Sequence, residues 1–438
     1  MNHLLATLAL ISLSAFGVER PNVLFIISDD LTATALSCYG NTVCKTPNID
    51  RLASQGTRFT KAYCQGTYCG PSRASFMSGY YPHAIKMLGY GSPRPAIGER
   101  ATWAQHFKNN GYHTARVSKI FHMGVPGGIE KGTDGADDPA SWTERFNSAG
   151  PEWKAPGDGE TLENNADGRK PGPVGGNTFV VVEADGNDLV HSDGKTAAKA
   201  VELIKQNRDK PFFLGVGFVR PHVPFVAPRK DYTDFLPYSR MQLPPKLKDD
   251  WADIPKAGIN YKTSKNMKMD VRRQKKAVGG YYASVAFMDR MVGQVLNGLE
   301  EAGLEDNTIV IFTSDHGDMM GDHGLFLKGF MHYRGTLQVP LMISAPGVTS
   351  KTNNGLASSI DICPTLLDLC ELPFYEGIQG KSLYPVLTEN QKTVRQSILV
   401  EDDIATITAQ LTPIPAKTRT LITENYRYTR NTKKEEQL

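Results

Sequence analysis

With 438 residues, 40% hydrophobic and 22% charged, the chain has ordinary globular composition and enough length to bury a large core. A formal net charge of +3 gives no electrostatic case for a nucleic-acid partner. The six cysteines show no zinc-ribbon spacing, which argues against a structural zinc module.

Leu4 to Phe16 is an apolar stretch shorter than a membrane span and followed by small residues, the pattern of a secretion signal. Residues 1–17 are read as that signal, with an exported protein (periplasmic, extracellular or in a lysosome-like compartment) as the consequence. No later segment is long and apolar enough to span a bilayer. Arg20 to Asp30 predicts a buried parallel strand that ends in two adjacent carboxylates, Asp29 and Asp30. Carboxylates at the carboxyl end of a central strand face the crevice where α/β sheets bind ligands. Thr46-Pro47-Asn48 opens a helix that Gly56 closes.

The run Cys69-Gly70-Pro71-Ser72-Arg73 combines a nucleophile, a sharp turn and an arginine suited to an anion. Pro71 fits the first turn of a helix, so Cys69 stands where a loop enters a helix whose free N–H groups favour negative charge. Val117 to His122 adds Lys119 and His122. Between Gly124 and Asn187 the chain is rich in Gly, Asp and Pro with little periodicity, as expected of an insertion at an active site. Its Trp142, Phe146 and Trp153 are suited either to stack on sugar rings or to anchor the insertion.

Ser192 is placed to cap a helix running to about Arg208, followed by a strand from Pro211 to Gly217. The next loop sets His222 between two prolines, with Arg220 ahead of them. Val278 to Leu299 carries Val285, Met288, Val292, Val295 and Leu296 on one side, a core-facing stripe. Thr308 to Gly317 repeats the apolar strand, now ending in Asp315 and His316, and Gly321 to Lys328 follows. Arg220 and His323 are open to a structural or a functional role.

Alternating strands and helices predict an α/β protein: a doubly wound, mixed but mostly parallel sheet flanked by helices. The catalytic domain is placed at residues 18–373 and a smaller subdomain at 374–438. Asp29, Asp30 and Asp315 with His316 make an oxygen-rich set with one imidazole, which favours Ca²⁺ or Mg²⁺ over zinc. In an oxidising compartment, pairing among Cys38, Cys44, Cys64, Cys363 and Cys370 is open, although the spacing of the last two argues against a bridge between them.

In their order and spacing these segments resemble the type I sulfatases of the alkaline phosphatase superfamily, closest to the iduronate-2-sulfatase branch and bacterial polysaccharide sulfatases. The resemblance runs from Pro21 to about Asn431. It implies that a formylglycine-generating enzyme oxidises Cys69 to formylglycine, whose hydrate attacks the sulfur of a sulfate ester on a carbohydrate. It further implies one calcium ion, ahead of Mg²⁺, held by Asp29, Asp30, Asp315 and His316 with residue 69. Arg73, Lys119 and Lys328 would then neutralise the sulfate oxygens and Asp315 would accept the proton of the attacking hydroxyl. His222 or Lys328 would protonate the departing alcohol, and His122 would take the proton of the second hydroxyl. The C-terminal region is expected to form an antiparallel sheet, with Thr418 to Tyr428 one of its strand pairs.

Two positions depart from the family pattern: Tyr80 stands where a basic residue is usual, and Gln338 where arginine is common. Two other readings fit the same residues. One is a phosphate or phosphonate monoester hydrolase on this scaffold; the other is a non-catalytic binder of sulfated glycans that keeps Cys69 as a thiol.

Overall fold

The computed structural model describes residues 20–87, 89–163, 168–169, 179–252, 254, 269–329, 332–389, 391–402, 417–432, 434 and 436–437. The secretion signal read at residues 1–17 lies outside them, as do two stretches of the Gly124–Asn187 insertion.

In chain order the strands are β1 (Asn22–Asp29), β2 (Thr57–Tyr63), β3 (His113–Ser118), β4 (Glu144–Phe146), β5 (Gly157–Thr161), β6 (Val180–Ala184), β7 (Phe212–Pro221) and β8 (Phe225–Pro228). They continue with β9 (Thr308–Ser314), β10 (Leu341–Ser344), β11 (Lys351–Ser358), β12 (Ser397–Asp402), β13 (Thr418–Thr423), β14 (Arg427–Asn431) and β15 (Glu436–Gln437). The main sheet has the order β11-β2-β10-β9-β1-β7-β3-β4. Only β10 runs against its neighbours; β9, β1, β7, β3 and β4 are parallel.

Side chains along β1 alternate between two cores because strand residues point to opposite faces. Leu24 and Ile26 join one cluster with Leu203, Val285, Met288 and Val292, from the helices Ser192–Gln206 and Val271–Glu301. Val23, Phe25 and Ile27 join the other with Phe76, Trp103, Phe107 and Leu366. The result is a three-layer, doubly wound α/β body, and the stripe on Val271–Glu301 is core, as its spacing indicates.

Beside it stands a small antiparallel sheet, β12-β13-β14-β15, which includes the strand pair expected near Thr418. A third sheet, β5-β6-β8, is built partly from the insertion and has no counterpart in the sequence reading. Trp142 acts as an anchor: it is buried, its Nε1 donates to Asp137 (3.0 Å), and its ring packs near Phe213. All six cysteines are free thiols, so the open question of pairing resolves to none.

One helix start differs from expectation. Ser192 is the first residue of its helix rather than the cap, and its hydroxyl is buried without a partner. Asp193 serves the start instead, accepting from Val219 N (2.8 Å) and Arg220 N (2.9 Å) and so tying the helix to the end of β7.

Candidate active site

Four neighbouring parallel strands deliver the chemistry from their carboxyl ends, where an open α/β sheet forms its crevice. Ser28 pairs with Ser314 between β1 and β9, so Asp29 and Asp315 leave their strands side by side. β7 leads into His222 and β3 into Lys119. Gly217 of β7 is needed there: a Cβ on it would lie 2.2 Å from the Lys119 carbonyl oxygen.

Cys69 begins the helix Cys69–Ser78, with Pro71 in its first turn. Its Sγ lies 3.3 Å from His316 Nε2, 3.3 Å from Lys328 Nζ and 3.8 Å from Asp30 Oδ1. Lys328 donates to both oxygens of Asp30 (2.5 and 2.6 Å) and Lys119 donates to Asp29. Arg73, fully buried, is turned to the carboxylates: Nη2 donates to Asp29 (3.0 Å), Nε to Asp315 (2.9 Å), and Nη1 to the carbonyls of Lys119 (2.5 Å) and Ile120 (2.9 Å). The backbone of Asp30 takes up a positive φ of 62°, which turns its amide onto Asp315 (3.1 Å).

Ligand atoms of Asp30, Cys69, Asp315 and His316 lie within 4.8 Å of one another, as do those of Asp29, Asp30, Cys69 and His222. Asp29, Asp30 and Asp315 converge in a buried space, and such a set attracts a hard cation. His316 registers that attraction: against burial, which opposes its charge, Asp315 and Asp30 push its pKa up to about 10. The residues present therefore fit an oxygen-seeking divalent ion.

The other groups divide by charge. Burial raises the Cys69 thiol, but the Lys328 ammonium beside it, with Lys119 behind, leaves it below its ordinary value. Burial, reinforced by Lys119, holds His122 down at about 3, so its imidazole is neutral, and its buried Nδ1 has no hydrogen-bond partner. His222 is likewise driven well below its usual range by burial and then by Lys328. Its Nδ1 donates to the Val223 carbonyl (2.5 Å) and its Nε2 stands 3.7 Å from Asp30.

The two open residues separate. Arg220 is structural: its Nη2 reaches both oxygens of Glu152 (2.6 and 2.7 Å) and its Nη1 donates to the carbonyls of His222 (2.8 Å) and Pro224 (2.5 Å), so it pins the loop that carries His222. His323 pairs with Asp250 (3.1 Å) and stacks near Tyr333, apart from the cluster. The sequence reading missed three supports. Ser72 Oγ donates to the Asp315 carbonyl (2.6 Å), Tyr281 OH donates to the Asp30 carbonyl (2.8 Å), and the Tyr90 ring lies 4.4 Å from that of His122. Tyr281 sits on an otherwise core-facing helix, where nothing in the sequence marks it.

Comparison with known proteins identifies the family. The sulfatase family model matches residues 21–372. A sulfatase of Formosa agariphila is 31% identical over 388 residues, covering 85% of this chain and 74% of that protein. Human iduronate 2-sulfatase is 34% identical over 348 residues, 75% of this chain, and the match spans 60% of the human protein. Among solved structures, one bound to its substrate D-glucosamine-2-N,6-O-disulfate superposes with a TM-score of 0.71 at 22% identity, covering 94% of this chain and 89% of that one. A phosphonate monoester hydrolase from Silicibacter pomeroyi reaches 0.75 at 22% identity, covering 94% and 87%, so likeness of fold does not by itself choose between sulfur and phosphorus. The choice rests on the family match across most of the length, and by it the chain belongs to the sulfatase family of sulfuric ester hydrolases.

Proposed function

We propose that the protein removes sulfate from a carbohydrate, using formylglycine made from Cys69 and one calcium ion, in an exported setting. The observation that carries this reading is the position of Cys69 Sγ, at a helix start and 3.3 Å from both His316 and Lys328, against a buried carboxylate set. Asp29, Asp30, Asp315 and His316 would hold the ion with residue 69. When bound, the ion supplies Lewis-acid polarisation of the sulfate, and formylglycine hydrate supplies the nucleophilic oxygen. The reaction adds water across the ester, releasing sulfate and the sugar hydroxyl.

The chain's own residues then have distinct tasks. Lys119 and Lys328 place positive charge where the sulfate oxygens would lie, a preorganised electrostatic stabilisation. Arg73 balances Asp29 and Asp315 and holds both carboxylates in place. Asp315 is the acceptor for the first hydroxyl proton. His122, neutral and with a free Nδ1, is the base for the second. Of the two donors for the departing alcohol, Lys328 is favoured: it is cationic, whereas His222 has already committed Nδ1 to Val223.

The test is the mass of the peptide containing Cys69, from protein produced with a formylglycine-generating enzyme, together with rates on matched aryl sulfates and phosphates. An aldehyde and a preference for sulfate are expected. An intact thiol with tight glycan binding would mean a binder, and a preference for phosphate would sink the sulfatase reading for this chain.

A further inference from the structure

Two loops bring Cys69 and Lys328 together from opposite sides, and the chain just before Cys69 and just after Lys328 has a further anchor beyond the ties already described. Thr67 lies two positions before Cys69, and Gly329 follows Lys328. The Thr67 hydroxyl is 2.7 Å from Asp402 Oδ2 and 2.5 Å from the Gly329 carbonyl oxygen and shares its single proton between these two acceptors, so one side chain touches both loops. Asp402, at the end of β12, also accepts from the Thr67 amide (3.1 and 3.3 Å) and pairs with His332 Nε2 (2.7 Å). His332 Nδ1 meets Thr420 of β13 (2.7 Å), and Thr420 meets Thr429 of β14 (2.7 Å). All five side chains are buried. Next to them, the Glu401 amide donates to the Gln65 carbonyl (2.9 Å), a second tie between β12 and the segment entering Cys69.

We infer that Asp402 is a positioning residue for the reaction: through Thr67 and His332 the small C-terminal sheet sets the separation of residue 69 from Lys328. A buried carboxylate with several donors is a rigid fastening, because each donor left without it would be stranded in a water-poor interior. A scaffold role alone would require a tie to either loop. The structure instead ties both, one residue from Lys328 and two from Cys69. The inference rests on the reading of Lys328 as the group at the leaving oxygen.

The test uses the full, matured chain and a series of aryl sulfates whose phenols span a range of acidity, with the corresponding aryl phosphates run alongside. Displacement of a catalytic group by about 1 Å costs on the order of a hundredfold in rate. Asp402→Asn and Thr67→Val should lose about that much in kcat with KM little changed, and the loss should grow as the phenol becomes less acidic. Thr67→Ser, which keeps the hydroxyl, should retain the parent rate and slope. Should Asp402→Asn fail to fold, Thr67→Val carries the test, since it removes one hydroxyl at nearly constant volume. A loss equal for every leaving group and tracking the fall in Tm would overturn the inference, as would parental rates in Thr67→Val. A parent active only on phosphates would refute the sulfate reading, while the slope of Thr67→Val on that series would still decide the positioning role.

Discussion

Lys328 Nζ stands 3.3 Å from Cys69 Sγ while donating to both oxygens of Asp30, so one ammonium serves both the proposed nucleophile position and a carboxylate of the proposed metal set. Removing a single preorganised donor of this kind costs about 10²–10³ in kcat. Lys328→Met should show that loss on sulfate esters. It should also destabilise the metal-free protein by about 3 to 5 kcal/mol, because Asp30 is left buried without its counter-charge. Calcium should restore part of that stability. Steady-state kinetics and urea melts with and without calcium check both parts, and unchanged kcat would remove Lys328 from the mechanism.

The carboxylate set carries its own expectation. A ligand bound only by the folded state at a hundred times its Kd stabilises it by about 2.7 kcal/mol. Chelation should therefore lower Tm and abolish turnover, and calcium should restore both better than magnesium. That order follows from the geometry demanded: magnesium requires a tight octahedron, while calcium tolerates an irregular oxygen set. Full recovery with zinc and none with calcium would contradict the assignment.

His122 predicts a pH dependence whose sign is fixed. Burial, then Lys119, lowers its folded pKa to about 3, against about 6.5 when unfolded. Its contribution is present above the unfolded value and is lost as pH falls toward the folded one, since the unfolded chain binds the proton first. Across that window the term falls by about 1.4 kcal/mol per pH unit. Denaturant unfolding from neutral pH downward should show a shallower slope for His122→Phe than for the parent. Equal slopes would mean that His122 is not held neutral.

The site was legible in the sequence where a side chain follows a long apolar strand or sits in a compact motif. Asp29, Asp30, Asp315 and His316 end runs that nothing but a buried strand explains. The remainder depends on contacts that spacing does not encode. The β5-β6-β8 sheet was missed because Gly157-Asp158-Gly159-Glu160-Thr161 has no apolar alternation to mark a strand. The role of Arg73 was only half legible: its chemistry suits an anion, and the fold supplies Asp29 and Asp315 as the anions. Asp402 reaches Thr67 from 335 residues away, beyond any local signal. Trp142 could be assigned to the core only once its indole was seen bonded to Asp137 and packed near Phe213.

Arg220 and Glu152 give the most direct test of how such support acts. Both are buried, and the planar guanidinium divides its donors: Nη2 reaches both Glu152 carboxylate oxygens while Nη1 holds the carbonyls of His222 and Pro224. Lysine cannot reproduce a planar fork. Arg220→Lys should therefore lower kcat by loosening His222 even though the charge is kept. Arg220→Met leaves Glu152 as a buried, unpaired carboxylate and should cost about 3 to 5 kcal/mol in stability. The double variant Arg220→Met/Glu152→Gln should regain part of that stability but little of the activity, since the two carbonyls remain without their donor. Recovery of kcat in the double variant would show that the pair maintains charge balance only and does not position the histidine loop.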